Sequence, residues 1–451
     1  MPTGAKDFTR GAIFEPLVRL ALPIMATSFV QMAYSLTDMA WVGRLGSESV
    51  AAVGSVGMLV WLTSSFAVLS KIASEVSIGQ AIGARKRREA MAYASHTTTI
   101  SLMMALILAA ILYLGAGFIL SFFKLSPQIQ DHAVGYLQTV STAIPFSFLV
   151  YNFMGIYNGV GRSNIPFYLV ASGLVCNMLL DPLLIFGIHG VFEGMGVKGA
   201  AIATWMAQGF VFLLFVYRLR RNDGILNRFP FLIRLRGSLT LRVLRLGFPV
   251  AMMTLFFASI NTYLARVASV HGGHLGITTQ TAGGQIEGIT WNTSQGFSTA
   301  LGAFTAQNFA AGKVSRSWMA YRYTLGIMLS LGVFVTVAFL FFGDRIFGVI
   351  IPEATGAGGD YLFVMGFSQV FMMLELTTQG MFNGMGRTLP PAIVSIVFNF
   401  ARIPLALLFA AWLGITGVWW AISASSILKG IVLPLWLVRS SRRSNEWSIP
   451  E

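Results

Sequence analysis

The sequence predicts an all-α polytopic membrane protein, with twelve transmembrane helices in two pseudo-symmetric six-helix lobes. Three observations predict it: an apolar composition, an alternation of basic and nearly neutral connections, and a set of landmarks that recurs once in the same order. Of the 451 residues, 55% are hydrophobic and only 11% charged, and the mean hydropathy is +0.71. A soluble domain carries roughly 25% charged residues. A charge at the bilayer centre costs about 2.5–3.5 kcal/mol, so a lipid-facing chain sheds charges. Mostly apolar runs such as Thr99 to Phe123 and Ala392 to Leu413 are long enough to cross hydrocarbon, which takes about 20 helical residues.

Hydropathy places the spans at 16–43, 50–73, 92–123, 133–157, 165–187, 197–218, 241–267, 275–300, 318–342, 361–383, 391–413 and 416–438. The eighth is the most polar, with Thr278, Thr279, Gln280, Thr281, Gln285, Glu287, Thr290 and Asn292. Such a helix is tolerated only where protein or a wet cavity covers it. It is kept because removing it breaks the charge alternation. One set of connections holds Lys6, Arg10 and Arg19; Arg85 to Arg88; Arg162; the run from Arg218 to Arg245; Lys313, Arg316 and Arg322; Arg387; and Arg439, Arg442 and Arg443. The opposite set holds only Arg44, Lys124, Lys198, Arg266 and Arg345. Cytoplasmic loops retain positive charge, so both termini are expected in the cytoplasm, with the chain in the cell (inner) membrane. Met1 to Glu15 is polar and lacks the signature of a cleaved leader, so the first apolar segment is expected to persist.

The formal net charge of +14 is therefore read as topological, with some attraction to anionic lipid heads, and a nucleic-acid partner is not expected. The single cysteine, Cys176, excludes an internal disulfide. His271 and His274 are neighbours by chance, and no metal site is expected. No Walker-type phosphate loop, helix-borne zinc motif or Gly-x-Ser-x-Gly elbow is present. Neither an enzyme nor a cofactor is expected.

The two halves share landmarks. Arg19-Leu20-Ala21-Leu22-Pro23 recurs as Arg245-Leu246-Gly247-Phe248-Pro249, at 249 − 23 = 226. Asn158-Gly159-Val160-Gly161-Arg162 recurs as Asn383-Gly384-Met385-Gly386-Arg387, at 383 − 158 = 225. Asn177 and Pro182 recur as Asn399 and Pro404, at 222, and Gly196-Val197-Lys198-Gly199 recurs as Gly414-Ile415-Thr416-Gly417, at 218. Six spans per repeat return the second repeat to the membrane in the same orientation, with substrate expected near mid-depth. The expected division is 1–220 for the first lobe, 221–240 for a cytoplasmic linker, 241–440 for the second lobe and 441–451 for a cytoplasmic tail.

Asp38 lies well inside the first span, where an ionisable group marks an ion or substrate path. Gln31, Tyr34 and Asp38, at i, i+3 and i+7, share one helix face, and Pro23 before them can kink the helix. Gln31, Tyr34 and Asn152 are candidates to line the substrate path. In the fifth span, Asn177 and Asp181 are i, i+4 neighbours, and Pro182 disfavours helix at Asp181 and frees a carbonyl one turn earlier. Two carboxylates, an amide oxygen and a carbonyl suit a proton or a small hard cation. At the corresponding places the second half has Leu264 and Ile403, so coupling is assigned to the first lobe. Glu287, Glu375 and Arg402 form a candidate polar network in the second, in which Arg402 is free to neutralise either acid or to touch substrate. Lys71 and Glu75, at i, i+4, are read as a structural pair, and Lys429 is expected to snorkel. The 21 Met and 36 Phe residues add polarizable and aromatic surface that suits varied ligands.

These pieces resemble the multidrug and toxic compound extrusion (MATE) family. The carriers are Leu22-Pro23 leading to Thr37-Asp38-Met39, Gln80-Ala81-Ile82-Gly83-Ala84, the duplicated Asn-Gly-x-Gly-Arg, Asn177 to Asp181-Pro182, and Gly196-Val197-Lys198-Gly199-Ala200-Ala201-Ile202-Ala203-Thr204. The resemblance implies two six-helix lobes in a V and cation-coupled drug export by a monomer. It also implies a cation site of Asp38, Asn177, Asp181 and Thr204, and a first helix that bends at Pro23 as Asp38 takes up a proton. Val250 to Ala265 carries no acid, so the chain is similar to the DinF-like branch. That branch implies proton coupling, with sodium as the alternative coupling ion. The function expected is antiport of amphipathic or cationic small molecules; the alternative is a flippase for a lipid-linked saccharide, which needs a cavity lined by Arg and Lys.

Overall fold

The computed structural model describes residues 6–123, 125–188, 192–221, 229–350 and 355–443. Lys124, residues 222–228 of the expected linker and residues 444–451 of the expected tail lie outside the described residues. The helices are α1 Phe14–Gly43, α2 Ser47–Gly83, α3 Arg87–Leu114, α4 Ala116–Ser121, α5 Pro127–Ser141, α6 Ile144–Gly159, α7 Asn164–Phe186, α8 Gly196–Arg221, α9 Gly237–Ala310, α10 Val314–Ile350, α11 Thr355–Gly384, α12 Leu389–Leu413 and α13 Ile415–Arg443. A two-residue hairpin, β1 Gly187–Ile188 against β2 Phe192–Glu193, joins α7 to α8.

Ten helices among the described residues are long and apolar enough to cross a membrane. The remaining two expected spans depart from plain hydropathy for physical reasons. The fourth is α5 plus α6, bent by 46°. Pro145 opens α6 and has no N–H to continue the ladder. The eighth is the second limb of α9, beyond a break at Gly273 (φ 58°). Its threonines, glutamines and Glu287 lower its hydropathy below that of a lone span. Side chains such as Leu114, Phe118, Phe341 and Trp412 stand exposed on the helix exteriors, as a chain solvated by hydrocarbon requires.

The chain divides into two units. Unit 1 comprises the described residues of Met1–Lys6 and Ala26–Gly247; unit 2 comprises those of Asp7–Met25 and Phe248–Glu451. The boundaries within α1 and α9 fall two residues from Pro23 and Pro249, the repeated helix-interior prolines. In unit 1, α2 packs on α3, α5 and α6, and α7 on α8. In unit 2, α11 packs on α10 and α13, and α12 on α13. The segment before α9 is folded onto unit 1. Phe231 packs at a tilt against Phe153, the Thr99 hydroxyl donates to the Phe231 carbonyl at 3.0 Å, and the Arg236 N–H donates to His96 Nε2 at 3.1 Å. The segment before α1 is folded onto unit 2: the Phe8 N–H donates to Gln307 at 3.1 Å, and Lys313 donates to the Thr9 carbonyl at 2.7 Å.

The duplication is visible in the backbone. Gly161 (φ 79°) and Gly386 (φ 78°) turn the chain at the same point of each repeat, and the Arg162 and Arg387 N–H groups close the turn at 2.9 Å on Tyr157 and Phe382. Gly155 lies on the Lys71 carbonyl, and Gly380 lies in the same way on the Ser298 carbonyl. A side chain at either glycine would collide with the facing backbone. Gly155→Leu and Gly380→Leu are each expected to cost about 1–3 kcal/mol through overpacking, whereas Gly117→Leu, with open space around it, leaves stability unchanged. Thermal unfolding of the detergent-solubilised protein, followed by size-exclusion chromatography, checks this.

Candidate functional site

Unit 1 contains a cavity of about 550 Å³. Gln31, Tyr34 and Asp38 line it from one face of α1, as their helical spacing predicts. Trp61 enters from α2, Tyr136 from α5, Tyr151 from α6, and Thr204 and Gln208 from α8. Asp181 is fully buried and receives the Asn177 amide at 3.0 Å. The Asp38 and Asp181 carboxylates lie within electrostatic reach of one another. Because α7 continues to Phe186, the departure from helix expected at Asp181 does not occur; Pro182 is accommodated inside the helix.

Five oxygens here are buried and lack a hydrogen-bond partner: Tyr34 OH, Asp38 Oδ1, Asn177 Oδ1, Asp181 Oδ2 and Thr204 Oγ1. The Tyr34 and Thr204 hydroxyls face each other without closing a bond of normal geometry. An unsatisfied buried oxygen costs about 1–3 kcal/mol, so such a group suits something that binds it. Hard oxygens on three helices, two of them from carboxyl groups, suit a proton or a small hard cation.

Asn152 is a correction to the expected lining. It is fully buried, accepts from the Ser74 hydroxyl at 2.6 Å and donates to Thr98 at 2.8 Å. Both ends of its amide are used in joining α2, α6 and α3, which removes it from the cavity wall. Trp61 and Tyr136, which do line the wall, carry no signal that separates them from other aromatic residues in an apolar chain. Tyr136 does have a counterpart in Tyr361, at 361 − 136 = 225, so the repeat register offered one clue.

Unit 2 has different chemistry. Lys429 does not snorkel; it pairs with Glu375 at 3.1 Å, with side chains 7% and 9% exposed. Arg402 donates through Nε to Ser425 at 2.6 Å and through Nη2 to Ser426 at 3.0 Å. Its charge also acts on Glu287, whose Oε1 is buried without a hydrogen-bond partner. The position corresponding to Asp38 is Leu264, fully buried in the apolar core.

A model of the MatE family matches residues 23–183 and, a second time, residues 247–408. The chain belongs to the MatE family. The two matches start at 247 − 23 = 224 and end at 408 − 183 = 225 residues apart, which is the duplication seen in the backbone turns. The chain is similar to a probable multidrug resistance protein NorM of Thermotoga maritima, 25% identical, over 92% of this chain and 90% of that one. It is also similar to an FAD transporter of Shewanella oneidensis, 24% identical, over 92% of each. Among solved structures, an outward-facing multidrug resistance MATE family transporter superposes with a TM-score of 0.87 at 24% identity, over 95% of this chain and 96% of that one. This MatE protein is a multi-pass membrane transporter and not an enzyme. Its fold is that of the twelve-helix, two-lobe transporters.

Removing one partner of a buried ion pair leaves the other charge uncompensated. Glu375→Gln is therefore expected to destabilise unit 2 of this MatE transporter by about 3–5 kcal/mol. The double replacement Glu375→Leu with Lys429→Met is expected to recover most of that loss. Thermal melts of the three proteins check it.

Proposed function

We propose that this MatE transporter exports amphipathic or cationic small organic molecules by alternating access, in exchange for a cation bound at Asp38, Asn177, Asp181 and Thr204. The observation that carries the reading is the joining of an aromatic cavity to orphaned carboxylate oxygens in unit 1. Tyr34, Trp61, Tyr136 and Tyr151 offer ring faces to an organic cation, and Asp38 offers the opposing charge. The proton is the coupling ion favoured, with sodium as the alternative. With its carboxylates charged, the cavity attracts a cationic cargo; once a proton or sodium ion neutralises them, that attraction is lost and the cargo leaves. Only such a difference in affinity between two states can couple the two flows. Pro23, inside α1 on the approach to Asp38, is the place where the helix bends as that charge changes.

The name of the Thermotoga maritima relative supports drug efflux, and the alternating Lys and Arg distribution supports an inner-membrane chain with cytoplasmic termini. The cavity argues against the saccharide flippase. Its wall contains no lysine or arginine among the described residues, so it lacks the donors that would hold a pyrophosphate.

Proteoliposomes with separately imposed pH and sodium gradients test the reading. The wild-type protein is expected to move ethidium, a planar organic cation, in response to the pH gradient. Asp38→Asn is expected to fall to the level of empty vesicles while keeping its elution profile and melting temperature, and Thr204→Ala to retain partial activity. Full gradient-driven transport by Asp38→Asn would falsify the assignment.

A further inference from the structure

Lys71 and Glu75 lie on α2, one helical turn apart. Glu75 is 2% exposed and Lys71 half-buried. Burying a charge costs several kcal/mol after relaxation, so the fold has to need these groups or use them. The second repeat shows that it does not need them. Gln80 and Lys86 recur as Gln307 and Lys313, at 307 − 80 = 227 and 313 − 86 = 227, which places Ser298 and Gly302 at the positions of Lys71 and Glu75. The contacts agree with this register. Gly155 and Gly159 lie on the backbone of Lys71 and Glu75, and Gly380 and Gly384 lie on that of Ser298 and Gly302. One helix crossing is thus built twice, once with a half-buried lysine and a buried glutamate and once with serine and glycine.

Their surroundings suggest what the charges do. The Lys71 ammonium sits over the Tyr151 ring, 5.9 Å from its centroid, and Tyr151 is part of the cavity wall together with Asp38. Glu75 accepts from the Asn158 amide at 3.4 Å. Asn158 opens the tight turn that ends at Arg162, in the set of connections assigned to the cytoplasm. Lys71 thus borders a ring of the cavity wall and Glu75 borders that turn, and their charges act on one another.

We propose that Lys71 and Glu75 are a proton-transfer pair that connects the cavity of unit 1 to the cytoplasmic face. This rests on the proton-coupled reading above. In the step, Lys71 gives one ammonium proton to the Glu75 carboxylate, leaving a neutral amine and a neutral acid. The amine takes up a proton released from the cavity side, and Glu75 loses its own to cytoplasmic water. One proton crosses, and the pair ends as it began, a cation beside an anion. Side chains four residues apart on a helix reach one another by rotamer change.

The groups on the packed elements do not substitute for the pair. On α3, His96 is held at the Ala92 carbonyl and the Arg236 N–H, and Tyr93 lies under the Arg242 guanidinium, 5.5 Å from it. On α9, Arg242 donates to Gln80 at 2.8 Å. Tyr136 of α5 and Tyr151 of α6 belong to the cavity wall.

The test uses the full chain in proteoliposomes with ethidium. Two modes are compared: transport driven by an imposed pH gradient, and ethidium–ethidium exchange at equal pH, which moves cargo without net proton flow. Glu75→Gln is expected to lower gradient-driven transport by roughly a hundredfold, the usual scale of a lost proton-transfer group, while exchange and ethidium binding stay at wild-type levels. The double variant Lys71→Ser with Glu75→Ala, close to what the second repeat carries, is expected to fold and to show the same split. Retention of gradient-driven transport by Glu75→Gln, with the wild type responding to pH, overturns this pathway and leaves the proton-coupled reading standing. Loss of exchange along with gradient-driven transport in a stably folded double variant also overturns it, since the pair would then serve cargo movement itself. A wild type indifferent to the pH gradient overturns both.

Discussion

Hydrocarbon offers a buried polar atom no partner, so every oxygen and nitrogen placed at membrane depth must be answered from within the protein or by what the protein carries. Most of this chain obeys by satisfying itself. Threonine and serine hydroxyls turn back onto their own helices, as Thr98 does on Ala94 and Thr377 on Met373. Asn152 spends both ends of its amide between Ser74 and Thr98. Against that background five unanswered oxygens gather around Asp38 and Asp181, while others, such as Glu287 Oε1 and Asn399 Oδ1, lie in unit 2. The five belong to helices that wall the cavity of unit 1, where we propose that the coupling cation binds.

Duplication supplies an internal control for which residues serve the fold. Turns and crossings recur with nearly the same geometry, as at Gly161 and Gly386 or at Gly155 and Gly380. The chemistry at corresponding positions does not recur. Asp38 has Leu264 as its counterpart, Asp181 has Ile403, and Lys71 and Glu75 have Ser298 and Gly302. Unit 2 holds its own charges differently. Glu375 is cancelled by Lys429, and Arg402 is held by two serines. A buried ion pair of this kind is costly to break but need not add stability, and it leaves no bare carboxylate pair comparable to that of unit 1.

The prolines Pro23 and Pro249 mark where α1 and α9 pass from one unit to the other. Each of these helices is preceded by a segment tied down by several hydrogen bonds: one through Phe8 and Thr9, the other through Phe231, Ile233 and Arg236. A missing backbone donor in a helix that two units share places the weakest point of the ladder where the packing environment changes.

The amino-acid sequence by itself determined the membrane class, the twelve spans, the duplication and the shared face of Gln31, Tyr34 and Asp38. All of these are written in composition, charge order and helical period, which are properties of neighbours along the chain. It also singled out Asn177 and Asp181, four residues apart. Only the tertiary structure decided which polar groups are answered. Asn152 reads like a cavity residue until Ser74 and Thr98 take it, and Lys429 reads like a snorkelling lysine until Glu375, more than fifty positions away, meets it. The bend between α5 and α6, the aromatic wall of Trp61 and Tyr136, and the distinction between Lys71–Glu75 and its serine–glycine counterpart depend in the same way on side chains brought together from separate helices. A periodicity can state which way a residue faces, but what waits on that face is set by the packing of the whole unit.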